Sequence, residues 1–405
     1  MLSSHRRSAL ANQVVSLALP DGTAQPKDAD VVIVGGGIMG VSAAFHLAEA
    51  GVRNIVVIER SGLGTGSSAK PLGGVRATFS DPANVALGKR SLDAYGRFGQ
   101  RFGVDIGLRR VGYLFLCRSV AEVADCEASV IVQNHFGSNS RMISPAEAAA
   151  INPFLNPAVL QAASYSPDDG FAEPAKAVEA YAHAAKAAGV VFLTYTEVLS
   201  VETAAGAIQS VTTNRGTIHT DAVVCAAGAW SRHVGQMVGV ELPVTPVRRQ
   251  IGMTRQQPMP YPDVPFTLDL STTMYFHNYR NGMLLGVSNQ QSPGFERDFT
   301  YGWVAEFSAA ARICAPSLAE PDLEFGWAGL YENTPDHNAL IGASEEVSGF
   351  FYATGFSGHG FLQGPAVGEL VRDLYLGRDG FIDLSTFSAE RFNNDAALVR
   401  EVHII

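Results

Sequence analysis

Cysteine is scarce and scattered in this chain. Cys117, Cys126, Cys225 and Cys314 form no CxxC pair and no metal-ligand spacing, so they read as reduced, mostly buried thiols rather than a disulfide framework or a zinc centre. No apolar run approaches the ~20 residues that span a bilayer. The first 28 residues carry Arg6 and Arg7 and a short apolar stretch, Val14 to Leu19, interrupted by Ser16. Without a sustained apolar core or a small-residue cleavage site they read as a flexible N-terminal arm, residues 1–28, and the expected compartment is the cytoplasm. A basic surplus is missing too. The net charge of −10 and pI near 5.5 disfavour nucleic acid or anionic membrane as the main partner, because an acidic surface repels both. Internal repeats and low-complexity tracts are absent.

The 405 residues are 47% hydrophobic, enough for two domains or one large composite one. The apolar strand Val31-Val32-Ile33-Val34 runs into Gly35-Gly36-Gly37-Ile38-Met39-Gly40 and then a helical pattern from Val41 to Ala50. This is G-x-G-x-x-G between a strand and a helix. Gly35 permits the tight turn, Gly37 lets backbone N–H groups approach a pyrophosphate, and Gly40 lets helix and strand lie close. The helix N-terminus adds a favourable dipole for phosphate. A second strand, Ile55 to Ile58, ends in Glu59, about 20 residues beyond Gly40, where a carboxylate accepts from ribose hydroxyls and repels a 2′-phosphate.

Near the other end, Gly355-Phe356-Ser357-Gly358-His359-Gly360-Phe361 reads as a glycine turn opening a helix, expected to begin near Gly364, against the reactive end of that dinucleotide. The two segments together point to a flavin enzyme. Between them lie an amphipathic helix over Ala83 to Phe102, a strand at Gly112 to Leu116, helices at 145–151 and 174–188, and a strand pair at 197–202 and 208–214. The strand from Thr220 ends in the small residues Ala226-Ala227-Gly228-Ala229 before Trp230, where backbone can run close to a cofactor. From Leu242 to Asp298 the pattern is β-rich, with strands at 274–277 and 283–287, and a final strand covers 349–354. A nucleotide domain assembled from separated pieces is expected. The fold class is an α/β composite: a Rossmann-like FAD-binding domain (29–105, 165–235 and 325–392) interleaved with a β-rich substrate-binding domain (106–164 and 236–324), then a C-terminal tail (393–405).

Three further segments carry a family resemblance: Gly73-Gly74-Val75-Arg76, Tyr331 with Thr334-Pro335-Asp336, and the Gly355 to Phe361 turn. From Ala29 to Phe392 the sequence resembles the D-amino-acid oxidase superfamily of FAD enzymes. Within it, the branch is that of monomeric sarcosine oxidase, the β subunits of heteromeric sarcosine oxidase and L-proline dehydrogenase, and glycine oxidase. The resemblance implies two-electron oxidation of a C–N bond in a small amino acid, with a hydride equivalent passing to flavin N5. It implies that Arg76 pairs with the substrate carboxylate, a role that suits a guanidinium fork. His359 and Tyr331 are expected at the substrate, with Tyr275, His277, Arg248, Arg249 and Gln250 on strands near the cavity. Alternate strand residues face opposite ways, so only some of these can line it. The expected cofactor set is Gly35, Gly37, Gly40, Glu59, Arg60, Ser67, Ser68, Val198, Ala227, Gly228, Trp230, Gly358, His359, Gly360, Phe361 and Leu362. Backbone N–H groups from Gly358 to Phe361 suit the negative charge that develops near flavin N1 and O2.

Three departures from monomeric sarcosine oxidase stand out. Leu362 replaces a carboxylate-holding lysine, Leu284 matches the lysine that promotes reaction with oxygen, and Gly329 replaces the cysteine that tethers flavin. FAD is therefore expected to bind without a covalent bond, and the acceptor is left as oxygen or another species. The leading reading is oxidation of a small secondary amino acid, an N-substituted glycine such as sarcosine or iminodiacetate. Two alternatives stand beside it: a proline or D-amino-acid dehydrogenase using another acceptor, and a catalytically silent FAD-binding subunit of a hetero-oligomer. The heteromeric type leaves room for a partner subunit.

Overall fold

The computed structural model describes residues 24–70, 72–259, 261–288, 292–393 and 400–401. Most of the expected N-terminal arm and most of the expected tail lie outside the described residues. Val31–Val34 is buried along its whole length, as a strand covered on both faces must be. It sits inside a six-stranded sheet. Phe350–Thr354, Val223–Cys225, Val31–Val34, Ile55–Glu59 and Val191–Thr194 run parallel in that spatial order, and Leu340–Ala343 closes one edge antiparallel.

The helices Ile38–Glu49 and Gly360–Tyr375 follow two of these strands and cross closely. A Cβ on Gly364 would come within 2.5 Å of Ile38 Cγ1, and one on Gly368 would overlap the Ser42 hydroxyl. Two glycines thus bring the two sequence motifs side by side. The second helix starts at Gly360, not near Gly364, although Pro365 falls inside it. Proline cannot donate to the carbonyl four residues back. That carbonyl, Phe361 O, accepts from Tyr95 Oη instead at 2.7 Å, and Ala366 N donates to Ser91 Oγ at 3.1 Å. A side chain from another helix therefore replaces the lost bond, which local sequence does not reveal. The helix expected over Ala83 to Phe102 is two, Pro82–Gly96 and Phe98–Phe102, broken at Arg97. Asp81 caps the first, accepting from Ala83 N and Asn84 N.

The second large sheet has eight strands, in the order Leu323–Asn333, Thr245–Thr254, Gly282–Val287, Met274–Tyr279, Phe266–Asp269, Tyr113–Cys117, Ala162–Ser166 and Arg141–Ile143. Alternation divides its faces. Leu114, Leu116, Phe276 and Leu285 pack with Trp303 and Phe307 of the helix Gly302–Cys314. Tyr113, Phe115, Phe266, Leu268 and Tyr275 form a separate cluster on the opposite side. Because Leu323–Asn333 belongs to this sheet, the expected domain boundary at residue 325 cuts a continuous strand rather than a linker. At the C-terminal side, Glu401 is buried and accepts from Ser80 N, Ser80 Oγ and Asp81 N, so this part of the expected tail is packed. Among the described residues no helix is long and apolar enough to cross a membrane.

Candidate active site

A cavity of about 660 Å³ is lined by residues from both large sheets and from the two motif helices. At the first glycine motif, Gly35 has φ +116° and a Cβ there would overlap Ala226 O, while a Cβ on Gly40 would overlap Gly35 O. Both positions demand glycine. Gly37 lines the cavity, and a Cβ on it would sit 2.9 Å from Ser68 Oγ, which accepts from Ile38 N at 2.8 Å. Glu59 lines the same wall with its carboxylate fixed: Oε2 accepts from Gly36 N and Oε1 from Ser61 N, each at 2.9 Å. A carboxylate has about four acceptor positions, so capacity remains for a hydroxyl donor.

Arg60, Ser67, Val198, Ala227, Gly228 and Trp230 also line the cavity. The Arg60 guanidinium lies 3.8 Å from the centroid of the Trp230 ring. Ser67 donates its hydroxyl to Leu330 O at 2.7 Å, so it ties the loop to the second sheet.

Arg76 leaves the short strand Gly74–Val75, which pairs with Gly170–Phe171. It is 6% exposed. Its Cζ lies 4.2 Å from the Phe79 ring centroid and 5.5 Å from that of Phe115, and Nη1 donates to Thr78 O. Aromatic walls of this kind hold a guanidinium through its flat face. Buried Asp169 accepts from Ala77 N and Thr78 Oγ1, each at 3.1 Å. Burial pushes its carboxyl up to about 7, against the pull of those bonds and of Arg76.

His359 caps the helix Gly360–Tyr375 and is 3% exposed, edge-on to Phe79 at 5.5 Å. Neither ring nitrogen meets a hydrogen-bond partner among the described residues. Burial, with Arg76 and His337 nearby, holds its pKa well below the ordinary histidine value, so the imidazole is neutral. Gly358, Gly360, Phe361 and Leu362 line the cavity beside it, as do Tyr331 and Tyr275. Burial pushes both phenols up, and both are protonated.

The structure does not bring His277 to the cavity. Its Nδ1 is 2.6 Å from Asn278 O and its Nε2 3.0 Å from Leu72 O, and its ring packs against Phe171 and Phe266. Tyr275 and His277 share a strand face, but the Leu72 backbone and Phe171 cover the second. Of the three candidates on Thr245–Thr254, Arg249 lines the cavity, with Cζ 5.1 Å from the Tyr331 centroid. Arg248 and Gln250 face away, to Asp298 O and Thr300. Leu284 packs among Ile251 and Met253, and Gly329 abuts Lys70, whose Cβ lies 2.9 Å from where a Cβ would be added.

Sequence reasoning missed Lys70, Tyr113, Phe266, Phe295, Arg297 and Glu332, all in the cavity wall. Lys70 lies two residues after the Ser67-Ser68 pair, and Glu332 lies inside the Tyr331 to Asp336 segment, so proximity in sequence could have flagged both. Glu332 accepts from Thr354 Oγ1 at 3.1 Å and Gly355 N at 3.3 Å, and burial pushes it up to about 7.

The family model described as FAD dependent oxidoreductase matches residues 30–374. The chain belongs to this family of FAD-dependent oxidoreductases. It is 30% identical to the glycine oxidase of Geobacillus kaustophilus over 375 residues, covering 89% of this chain and 97% of that protein. It is 28% identical to 4-methylaminobutanoate oxidase (formaldehyde-forming) of Paenarthrobacter nicotinovorans, covering 91% of this chain but 46% of that protein. Among solved structures, the L-proline dehydrogenase from P. horikoshii superposes with a TM-score of 0.85 at 34% identity, covering 91% of this chain and 99% of that one. The enzyme is thus an FAD-dependent amino-acid or amine oxidoreductase, of a family that oxidises C–N bonds. The residues present fit the cofactor: a side-chain-free glycine cradle, the fixed Glu59 carboxylate, and a buried imidazole with both nitrogens open.

Proposed function

We propose that this enzyme oxidises the C–N bond of a small secondary amino acid, with an N-substituted glycine such as sarcosine or iminodiacetate as the leading substrate. The observation that carries the reading is the convergence of Arg76 and His359 on one cavity. Arg76 receives the substrate carboxylate through its fork. Walls of Phe79, Phe115 and Tyr113 hold that fork still and exclude water, which strengthens the pairing. Neutral His359 and the protonated phenols of Tyr331 and Tyr275 offer neutral hydrogen-bonding groups beside it. Arg249, behind the Tyr331 ring, gives a second cation for a second carboxylate. FAD, when bound, supplies the two-electron acceptor that takes a hydride from the carbon next to nitrogen, leaving an imine that water hydrolyses. The cofactor would be held by the Gly35 to Gly40 loop, Glu59, Ser68, Trp230 and the turn from Gly358 to Leu362, without a covalent bond.

A second reading is favoured by the L-proline dehydrogenase likeness, which extends over 99% of that chain. Proline is itself a small secondary amino acid. Leu284, where a lysine would promote reaction with oxygen, supports an acceptor other than oxygen. Product analysis separates the two readings. Formaldehyde and glycine from sarcosine, or glyoxylate and glycine from iminodiacetate, establish the first. A cyclic imine from proline, with neither other amine consumed, establishes the second. Hydrogen peroxide measured against dye reduction then assigns the acceptor.

A further inference from the structure

The stretch 292–300 connects the second sheet to the helix Gly302–Cys314 without being part of either. It runs beside residues 246–250 of Thr245–Thr254, which Gly282–Val287 leaves unpaired. Pro293 bridges Val247, and Gly294 N donates to Pro246 O at 2.9 Å. Arg248 Nη1 donates to Asp298 O at 3.2 Å, and Thr300 N donates to Gln250 Oε1 at 2.7 Å. Alternate residues of that strand therefore hold this stretch, while Arg249 between them faces the cavity.

Two side chains of the stretch cross to the nucleotide side. Phe295 stacks on Trp230 with centroids 5.4 Å apart and planes 21° apart, and it meets His233 at 5.6 Å. Arg297 Cζ lies 5.6 Å from the Trp230 ring centroid, and a second cation, the Arg60 guanidinium, lies 3.8 Å from it. Phe295, Arg297, Trp230, Arg60 and Glu59 all line the cavity. Phe295 nevertheless remains 40% exposed.

We propose that residues 292–300 are a strap that retains the adenosine half of FAD, closing over it through Phe295 and Arg297. The proposal rests on the reading that Glu59 marks the ribose. The nucleotide sheet supplies the cradle, and the substrate-side sheet supplies the cover. Phe295 and Trp230 form a continuous aromatic wall for the adenosine. Arg297 and Arg60 bring two cations to the Trp230 ring, a pairing suited to the pyrophosphate. Cofactor leaves by this route once the strap lifts from Trp230.

The test follows flavin fluorescence after dilution of the holoenzyme, comparing the parent with Phe295→Ala, Phe295→Tyr and Glu59→Gln. Phe295 is partly exposed, so truncation opens no internal void, and circular dichroism checks that the fold persists. The strap predicts at least about tenfold faster FAD release for F295A, with F295Y within about twofold of the parent because the ring is kept. The main visible flavin band stays in place, since the ring system lies elsewhere. Parental release from F295A overturns the strap, and so does faster release accompanied by a shifted flavin band, which would put Phe295 at the isoalloxazine. If E59Q alone releases FAD faster, the ribose reading survives and the strap fails. If E59Q releases FAD at the parental rate, the ribose reading fails and the adenosine assignment with it.

Discussion

The ring of Tyr331 lies directly on Gly358: a Cβ at that glycine would overlap Tyr331 Cε2 and Cζ. The contact joins the glycine turn to the strand Leu323–Asn333 of the other sheet, and so fixes the substrate side of the cavity against the cofactor side. Gly358 also has φ +98°, a conformation that costs any other residue strain. Gly358→Ala is expected to destabilise the protein by about 1–3 kcal/mol through overpacking alone. Combining it with Tyr331→Ala recovers part of that loss, and denaturant unfolding of the two single variants and the double gives the coupling.

Arg76→Ala should keep its yellow colour and lose apparent substrate affinity by orders of magnitude, matching about 2–5 kcal/mol for a desolvated charge pair. Arg76→Lys falls between, because an ammonium cannot form the two parallel bonds of a guanidinium. Steady-state KM and equilibrium binding of a carboxylate inhibitor read this directly. Unchanged binding in R76A would remove Arg76 from the site.

Two buried acids give stability a pH dependence of known sign. Asp169 and Glu332 are both pushed up to about 7 from ordinary values of 3.8 and 4.5. The folded state therefore holds these protons more tightly than the unfolded chain. Their contribution is fully present below about pH 4 and is lost progressively as pH rises to 7, with a limit of about 1.4 kcal/mol per pH unit for each group. Glu332→Gln keeps an acceptor for Thr354 Oγ1 and Gly355 N, and Asp169→Asn keeps one for Ala77 N while its amide donates to Thr78 Oγ1. Each variant should show a flatter profile of unfolding midpoint between pH 5 and 8 than the parent.

Tyr95→Phe strands the Phe361 carbonyl that Pro365 already deprives of its helical donor. A buried unsatisfied carbonyl costs about 1–3 kcal/mol. Pro365→Ala added to Tyr95→Phe restores a backbone donor and recovers stability, measured by urea unfolding of the holoenzyme. Equal loss in single and double variants would contradict the substitution of one donor for the other.

Gly37→Val places a branched side chain in the cradle, where even a Cβ lies 2.9 Å from Ser68 Oγ. The variant should purify without flavin. In the parent, acid precipitation should leave the flavin in the supernatant, because Gly329 offers no side chain for a covalent tether.

The parts of the fold legible in sequence were those whose pattern is local. The Val31–Val34 strand, the glycine loop and Glu59 could be read because each residue's reason lies within a few turns of the chain. The helix start at Gly360 could not, because Tyr95, remote in sequence, supplies the bond that Pro365 forbids. Strand parity placed Arg249 opposite Arg248 and Gln250 but could not say which side faced the cavity. Parity also grouped Tyr275 with His277, and only the approach of Leu72 and Phe171 separates them. Phe295 and Arg297 sit in a stretch without periodicity, so their cavity role exists only in three dimensions.

The most direct test of the account is anaerobic mixing of the purified yellow protein with sarcosine, iminodiacetate, glycine, L-proline, D-proline and D-alanine, following the flavin absorbance before and after air is admitted. Bleaching by a secondary amino acid, and its failure in Arg76→Ala at the same concentration, is the predicted result. A protein that stays yellow with every secondary amino acid but bleaches with a primary one would contradict it.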